Sequence, residues 1–368
     1  MGAAGAAGRP TGGPRAPRRR RPRVAGVLLA AVPLVAVLIP PAAAQDAAPV
    51  ATVRFVSINI LHGGVLSGWK RDDQHLEARL DLLTDELRGL SPDVIAVQEA
   101  SRGWGRGDVA GRLAARLGMH HAYVSGAFRF FGFGWVHWFV SHVMNFEEGP
   151  AVLSRFPIVR REAFALPACG RRFEPRVLLR TELEAPSGPL TVFSTHTSGD
   201  PCHSRGVVEL VREHRGAGPA VVMGDFNAVE SSEAIQALTG PGGFVDAFRA
   251  VRPDDPGPTV WQPVTDPVRR ARRRVDYVFL APGEASRSRP VDSRVVIDVP
   301  GRLADGTVLW PSDHYGVLAD VAIFAAAPRT AGHGGAQGAA AGGATVQATP
   351  GVLPAPSPRQ AGPTGPHR

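Results

Sequence analysis

The chain has 368 residues, 44% hydrophobic and 20% charged, enough for one large domain or two ordinary ones. Of its 41 Lys and Arg, seven Arg fall in the first 44 residues beside no acid, which leaves 34 basic against 33 acidic residues; dropping the three Arg of Ala322–Arg368 leaves 31 against 33. The net charge of +8 therefore belongs to the ends, and the total charge of the body gives no reason to expect a polyanion partner.

Arg18 to Arg21 and Arg23 precede an apolar run, Val24–Ile39, interrupted by Pro33, and Ala42–Ala44 offers a small-residue cleavage site. Residues 1–44 read as a secretory leader with the mature chain starting near Gln45. An uncleaved anchor is the alternative, although the run is shorter than the ~20 residues a membrane span needs. The expected localisation is secreted, or anchored on the outer face of the cell membrane. Residues 45–50 read as a linker and 51–324 as the folded body, with no internal repeat. From Ala325 to Arg368 the chain is Ala, Gly, Pro and Gln with almost no large apolar residue, so this tail is predicted to be disordered.

Within the body, "TVRFVSINI" (52–60) alternates as a strand does before reaching Asn59. "DDQHLEARLDLLTDELRGL" (72–90) spaces Leu76, Leu80, Leu83, Leu87 and Leu90 as an amphipathic helix, broken by Ser91-Pro92-Asp93. "VIAVQEA" (94–100) is a strand ending at Glu99, and "VAGRLAARLG" (109–118) a short helix closed by Gly118. "GPAVLSRFPIV" (149–159), "RVLLRTELEA" (176–185) and "PLTVFSTHTS" (189–198) are strands, the last ending at His196; "RGVVELVREH" (205–214) is helical. "AVVMGDFNA" (220–228) is an apolar strand running into Asp225 and Asn227. If that strand continues, the two share a face, because strand residues i and i+2 do. The competing reading is a turn, since Asp and Asn side chains bond nearby backbone. "RVDYVFLAP" (274–282) has Asp276 near its start, and "WPSDHYGVLADVAIF" (310–324) sets Asp313 and His314 before a last strand. Many strands with few helices between them predict a two-sheet α+β sandwich.

Cys169 and Cys202 are the only cysteines. In an exported chain an even count favours a disulfide, here closing a loop that would stabilise by roughly 3–4 kcal/mol; two unpaired buried thiols are the alternative.

The strand ends together supply Asn59, Glu99, His196, Asp225, Asn227, Asp276, Asp313 and His314. Each has an ordinary reading as cap, turn or surface residue. Four carboxylates, two amides and two imidazoles gathered at one end would instead need partners, and oxygen ligands of this kind suit Mg²⁺ or Mn²⁺. No Cys/His cluster for structural zinc is present.

The segments "SINILHGG", "PDVIAVQEA", "GPAVLSRFPI", "FSTHTS", "GDFNA", "RVDYVFL" and "SDHYGVLADV" occur in the order found in the endonuclease/exonuclease/phosphatase superfamily, and the chain resembles that family over about 53–324. The resemblance implies a DNase I-like sandwich, four layers with two packed, mostly antiparallel sheets flanked by helices. It implies a divalent-metal-dependent phosphoesterase using Mg²⁺ or Mn²⁺. Asn59 and Glu99 would hold the metal with Asp313 near it. Asp225 would orient and deprotonate the attacking water, with Asn227 fixing that water and a phosphate oxygen. His314, paired with Asp276, would steady the reacting charge, and His196 would bind phosphate or serve the leaving group. Arg274, expected on the strand face of Asp276, and Arg205 are candidate phosphate contacts. The chain departs from the family pattern at Pro150, Ser198 and Val208, which points to an atypical substrate pocket.

Two stretches bear on the substrate. The aromatic-rich "AFRFFGFGWVHWFVSHVMNFEEG" (127–149) is either a buried insertion or an apolar loop meeting lipid, with base stacking a third reading. "DPVRRARRRVDY" (266–277) is a solvated loop or an anion-binding cluster. The expectation is a monomeric phosphodiesterase acting on a phospholipid or similar headgroup, with possible membrane-surface contact through 127–149. The alternatives are a secreted DNase-type endonuclease and an inactive binding protein on the same fold.

Overall fold

The computed structural model describes residues 48–61, 74–103, 106–126, 147–170, 176–283 and 287–324. The leader, half of the linker, the aromatic stretch 127–146 and the tail 325–368 lie outside the described residues. Contacts divide the chain after Ala48, and the fold below is that of the second unit.

The first sheet contains β1 (Ala51–Asn59), β2 (Val94–Gly103), β3 (Gly107–Asp108), β4 (His120–Tyr123) and β5 (Glu147–Ser154). The second contains β6 (Ile158–Ala165), β7 (Val177–Ala185), β8 (Gly188–His196), β9 (Ala220–Asp225), β10 (Val245–Asp246) and β11 (Asp276–Leu280). The chain then returns to the first sheet with β12 (Arg287–Val296) and β15 (Gly316–Phe324), separated by a small hairpin, β13 (Gly301–Arg302) and β14 (Val308–Leu309). The helices are α1 (Leu76–Leu90), α2 (Val109–Leu117), α3 (Pro201–His214), α4 (Glu233–Thr239) and α5 (Ala247–Val251). The first sheet runs β12-β15-β1-β2-β5-β4, with β3 beside β2; the second runs β10-β11-β9-β8-β7-β6.

Strand periodicity builds the layers. Val53 and Phe55 of β1, Val94 and Ala96 of β2, and Val317, Ala319 and Val321 of β15 meet Leu190 and Val192 of β8, Val221 and Met223 of β9, and Val278 and Leu280 of β11 in one core between the sheets. The alternate residues Val56, Ile58, Ile95 and Val97 face Leu76, Leu80, Leu83 and Leu87 of α1 and Leu113 of α2. Phe193, Val222, Tyr277 and Phe279 face Val207 and Val211 of α3 and Ile235 and Leu238 of α4. The result is the DNase I-like sandwich, two mixed sheets between helical layers.

The same periodicity positions the polar strand ends. Asn59 continues the Val53–Phe55 face, Asp225 the Val221–Met223 face, His196 the Leu190–Val192 face, and Asp276 the face of Val278 and Leu280. All four therefore turn inward. β1 and β2 pair in parallel, as do β8 and β9, while β15 and β11 run antiparallel to β1 and β9. The ends of four strands and the starts of two are thus gathered at one rim. His196 lies opposite Asp225, and Asp225 opposite Asp276.

Two strands were poorly marked in the sequence. β6 has three consecutive polar residues, Arg160 to Glu162, the two arginines exposed, and it forms one edge of its sheet. β12 contains Pro290, with a register shift between Pro290 and Asp292, and forms an edge of the other. Proline, charge and bulges are features that edge strands tolerate. Helix α1 begins at Leu76 rather than at Asp72. Among the described residues no helix is long and apolar enough to cross a membrane.

Cys169, in the β6–β7 connection, is disulfide-bonded to Cys202 in the first turn of α3, with Cα atoms 5.8 Å apart.

On α1, the half-buried Glu86 accepts a hydrogen bond from Ile297 N at 2.7 Å. Burial pushes its carboxyl up to about 7, a rise that the Ile297 bond opposes and Asp298 reinforces. The folded chain thus holds this proton more tightly than the unfolded chain does, so the stabilisation is complete below about 4.5 and is lost as pH rises through about 7. Glu86→Gln, whose carbonyl can accept the same bond, should stabilise by about 1 kcal/mol at pH 8 and negligibly at pH 4.5, allowing for solvent screening of a partly exposed group. Thermal unfolding at the two pH values checks this; an equal shift at both would disprove it.

Candidate active site

Asp225 is 1% exposed and is the junction of the rim. Its Oδ2 accepts from Asn59 Nδ2 at 3.1 Å and lies 3.5 Å from His196 Nε2 and 3.7 Å from His314 Nε2. Its Oδ1 accepts from Asn227 N at 2.8 Å. Burial raises the carboxyl; His314 opposes that rise and Asp276 reinforces it. A carboxylate raised in this way is a stronger base than one in water.

His314 Nδ1 lies 2.9 Å from Asp276 Oδ2. Burial disfavours the imidazolium, but Asp276 and then Asp225 outweigh it and raise the group. The raised group favours the imidazolium, with Nδ1–H donating to Asp276 and Nε2 3.7 Å from Asp225 Oδ2. Thr259 Oγ1 accepts from Val275 N and Asp276 N, fixing the start of β11.

β9 stops at Asp225, so Asn227 does not reach the site by strand alternation. Its backbone turns left-handed (φ 51°) and its N–H closes on the Asp225 carboxylate. The turn reading and the site reading of "GDFNA" are thus the same structure. Asn227 Nδ2 sits 2.9 Å from His196 Nε2 and donates to Thr197 O at 2.9 Å. Gly224 lets β9 approach β8: a Cβ there would lie 2.2 Å from Thr195 O. Gly199 (φ +78°) does the same beside Asn227, where a Cβ would lie 2.6 Å from its carbonyl. Ser198, at one of the departures from the family pattern, pairs through Oγ with His203 Nδ1 at 2.9 Å.

Glu99 reaches the rim by a different device. β2 bulges between Val97 and Ala100, and Glu99 is left-handed with φ 57°. Regular alternation would turn it to the α1 side with Val97; the extra residue re-aims it. Its Oε1 accepts from Asn59 Nδ2 at 3.0 Å. Asn59 Oδ1 accepts from Leu61 N, which fixes the amide so that its nitrogen faces both Glu99 and Asp225. Asn59 thus bridges the two carboxylates instead of presenting an oxygen. Burial raises the Asp313 carboxyl; His314 lowers it, Glu99 raises it further and Arg79 opposes. Two neighbouring carboxylates whose charges oppose each other, with oxygen as the donor atom, fit a hard divalent cation. Asp225, Asp276 and His314 offer a second set of ligand atoms, all within 4.8 Å of one another. Beside Asp313 lies a cleft of about 520 Å³ walled by Leu61, Gln74, His75, Trp261, Pro263, Val264 and Thr265.

The two arginines expected at phosphate lie elsewhere. β11 starts at Asp276, so strand alternation does not extend back to Arg274. Its buried guanidinium pairs with Asp246 at 2.7 Å and Glu230 at 2.8 Å and lies over the Tyr277 and Phe248 rings. Arg205 pairs with Glu233 at 3.1 Å, in a groove between α3 and α4 that also contains Val208. The residue that went unnoticed in the sequence is Arg79. It falls three residues after Leu76 and one before Leu80, on the apolar stripe of α1, which was the available signal.

A buried base beside an imidazolium and an oxygen-ligand pair, at the rim of a two-sheet sandwich, defines a phosphoester hydrolase. The sequence matches the Endonuclease/Exonuclease/phosphatase family over residues 56–314, and the chain belongs to that family. Members hydrolyse phosphoester bonds and are in general divalent-metal dependent. No curated protein matches the sequence. Among solved structures, a mannosyl-6-phosphatase from Bacteroides thetaiotaomicron VPI-5482 is 16% identical, with TM-score 0.55, over 73% of this chain and 99% of that one. The catalytic domain of human Nocturnin is 21% identical, with TM-score 0.52, over 75% and 94%. TDP2 of D. rerio, complexed with a single-strand DNA product, is 17% identical, with TM-score 0.53, over 74% and 99%. At these identities the likeness is one of fold.

Asp276→Asn should remove the charge that keeps His314 protonated. In an NMR titration the His314 ring should stay cationic through pH 7 in the parent chain and titrate at lower pH in the variant; identical curves would contradict the pairing.

Proposed function

We propose that the chain is an exported, Mg²⁺- or Mn²⁺-dependent phosphodiesterase acting on a phospholipid or similar headgroup. The observation that carries the chemistry is the Asp225 carboxylate, buried and raised, held between Asn59, Asn227 and two imidazoles. Asp225 takes the proton of the attacking water. Asn227 and His196, tied together at 2.9 Å, hold that water and a phosphoryl oxygen. His314, kept cationic by Asp276, sets positive charge against the developing charge on the phosphoryl group. Glu99 and Asp313 would hold the divalent cation, which would supply charge neutralisation to a phosphoester that otherwise repels its nucleophile. The roles of Asn59 and Asp276 are to orient Asp225 and His314.

A diester is favoured by the cleft beside Asp313, which has room for a second ester substituent against Trp261, itself 59% exposed. A headgroup is favoured over a long polyanion by the state of the Arg-rich run. Arg269 pairs with Asp298, Arg270 with Asp266, and Arg274 with Glu230 and Asp246. Arg269 and Arg270 are exposed but paired, which leaves Arg272 and Arg273 outside these ion pairs, fewer cations than a phosphate track requires. Export rests on the leader-like residues 1–44 and is in keeping with the Cys169–Cys202 bridge.

Asp225→Asn should lower kcat by at least about 100-fold, since general-base catalysis contributes about 10²–10⁴. Its Tm should equal or exceed that of the parent chain, because a carboxylate disfavoured by burial has been neutralised. Turnover near the parent value would refute the assignment.

Hydrolysis of sphingomyelin, phosphatidylinositol, plasmid DNA and bis-p-nitrophenyl phosphate should each be measured with Mg²⁺ and with EDTA. Lipid should be cleaved faster than DNA, and all activity should vanish with chelator. Full activity after exhaustive chelation would remove the cation from the mechanism, and preferential DNA cleavage would establish the nuclease instead.

A further inference from the structure

Arg79 is 1% exposed, among the largest fully buried side chains of the protein. A guanidinium is costly to bury unless its donors are paired. Its Nε donates to Gln74 O at 2.8 Å, Nη1 to Ile60 O at 2.7 Å and to Pro311 O at 3.3 Å, and Nη2 to Leu61 O at 2.9 Å. These four acceptors are backbone carbonyls from three separate segments. Ile60 and Leu61 follow Asn59 directly. Pro311 lies two residues before Asp313. Gln74 and His75, both left-handed (φ 50° and 61°), wall the cleft beside Asp313.

We infer that Arg79 is a positioning residue for the cation site: its fork clamps the end of β1, the approach to β15 and the entry of α1, and so sets where Asn59 and Asp313 stand relative to each other. This rests on the reading that Glu99 and Asp313 hold a divalent cation. A residue placed only to fill the α1 stripe would be apolar, as Leu76, Leu80 and Leu83 are. Lysine could supply the charge, but only a planar fork presents five donors in directions that reach three segments at once. Its charge also acts on Asp313 itself, opposing the effect of Glu99.

The test uses the full chain stripped with chelator and titrated with Mn²⁺ by calorimetry, with Mg²⁺ activation of bis-p-nitrophenyl phosphate hydrolysis as the second readout. Arg79→Lys keeps the charge and loses the fork; Arg79→Gln keeps a small planar donor group without charge. Both should weaken Mn²⁺ binding about 10–100-fold, as changes to groups that orient metal ligands do. The Mg²⁺ concentration for half-maximal rate should rise in parallel, while kcat at saturating metal stays within about threefold of the parent. Leu183→Ala, in the core between the sheets, serves as a destabilised control and should leave the Mn²⁺ Kd unchanged. If Arg79→Lys does not fold, Arg79→Gln decides. If both fail, urea-weakened parent chain should still bind Mn²⁺ normally until its global transition, and early loss of binding there would overturn the inference. A lowered Tm with Mn²⁺ Kd within twofold of the parent would make Arg79 merely structural. Parent chain that binds no Mn²⁺ would overturn the cation reading itself, which is a different result.

Discussion

The hydrogen bond from Asn59 Nδ2 to Asp225 Oδ2 crosses from one sheet to the other, and the rim is organised around it. It exists because β1 and β9 both keep strict alternation to their last residue, so that the face burying Val53 and Phe55 on one strand and Val221 and Met223 on the other ends in an amide and an acid. A carboxylate in that place has lost its water and requires donors. Asn59 and Asn227 supply them, with the His314 ring 3.7 Å away, and each is held in turn by its own strand end or turn. Site and core are therefore one construction: the apolar contacts that join the sheets also fix the distance across which the bond is made.

That dependence explains which parts of the site were legible in the sequence. Asn59, His196, Asp225 and Asp276 lie on regular strands, where a period of two predicts the face. Glu99 is on the wrong face by that rule, and only the bulge of β2, which no local pattern signals, brings it to Asn59. Arg274 shows the reverse error. A period of two was extended past Asp276 into the preceding turn, where it has no force, and the side chain instead joins Asp246 and Glu230 beneath Tyr277. Edge strands β6 and β12 were obscured by their charge and proline, the same features that keep an open edge from pairing with another chain.

The arginines show how far charge counting can mislead. Arg269 to Arg274 is the densest cationic run in the body, yet a parallel set of acids at Asp246, Asp266, Asp298 and Glu230 takes up three of its five guanidiniums. Apart from Asp266, those acids lie far from the run in sequence, so no local window reveals the full compensation. The run closes the loop between Thr259 and β11 by backbone bonds to Val260, and so braces Asp276 and His314 from behind.

Glu99 has a further implication for how such a chain can change over time. A non-glycine residue held left-handed is strained, and at this position glycine would relieve the strain. Glu99→Gly would thus relieve the backbone strain and remove the carboxylate from the proposed cation site. Descent under demand for durability alone would drift toward that substitution, and a lineage that keeps Glu at a left-handed bulge records continued demand for turnover.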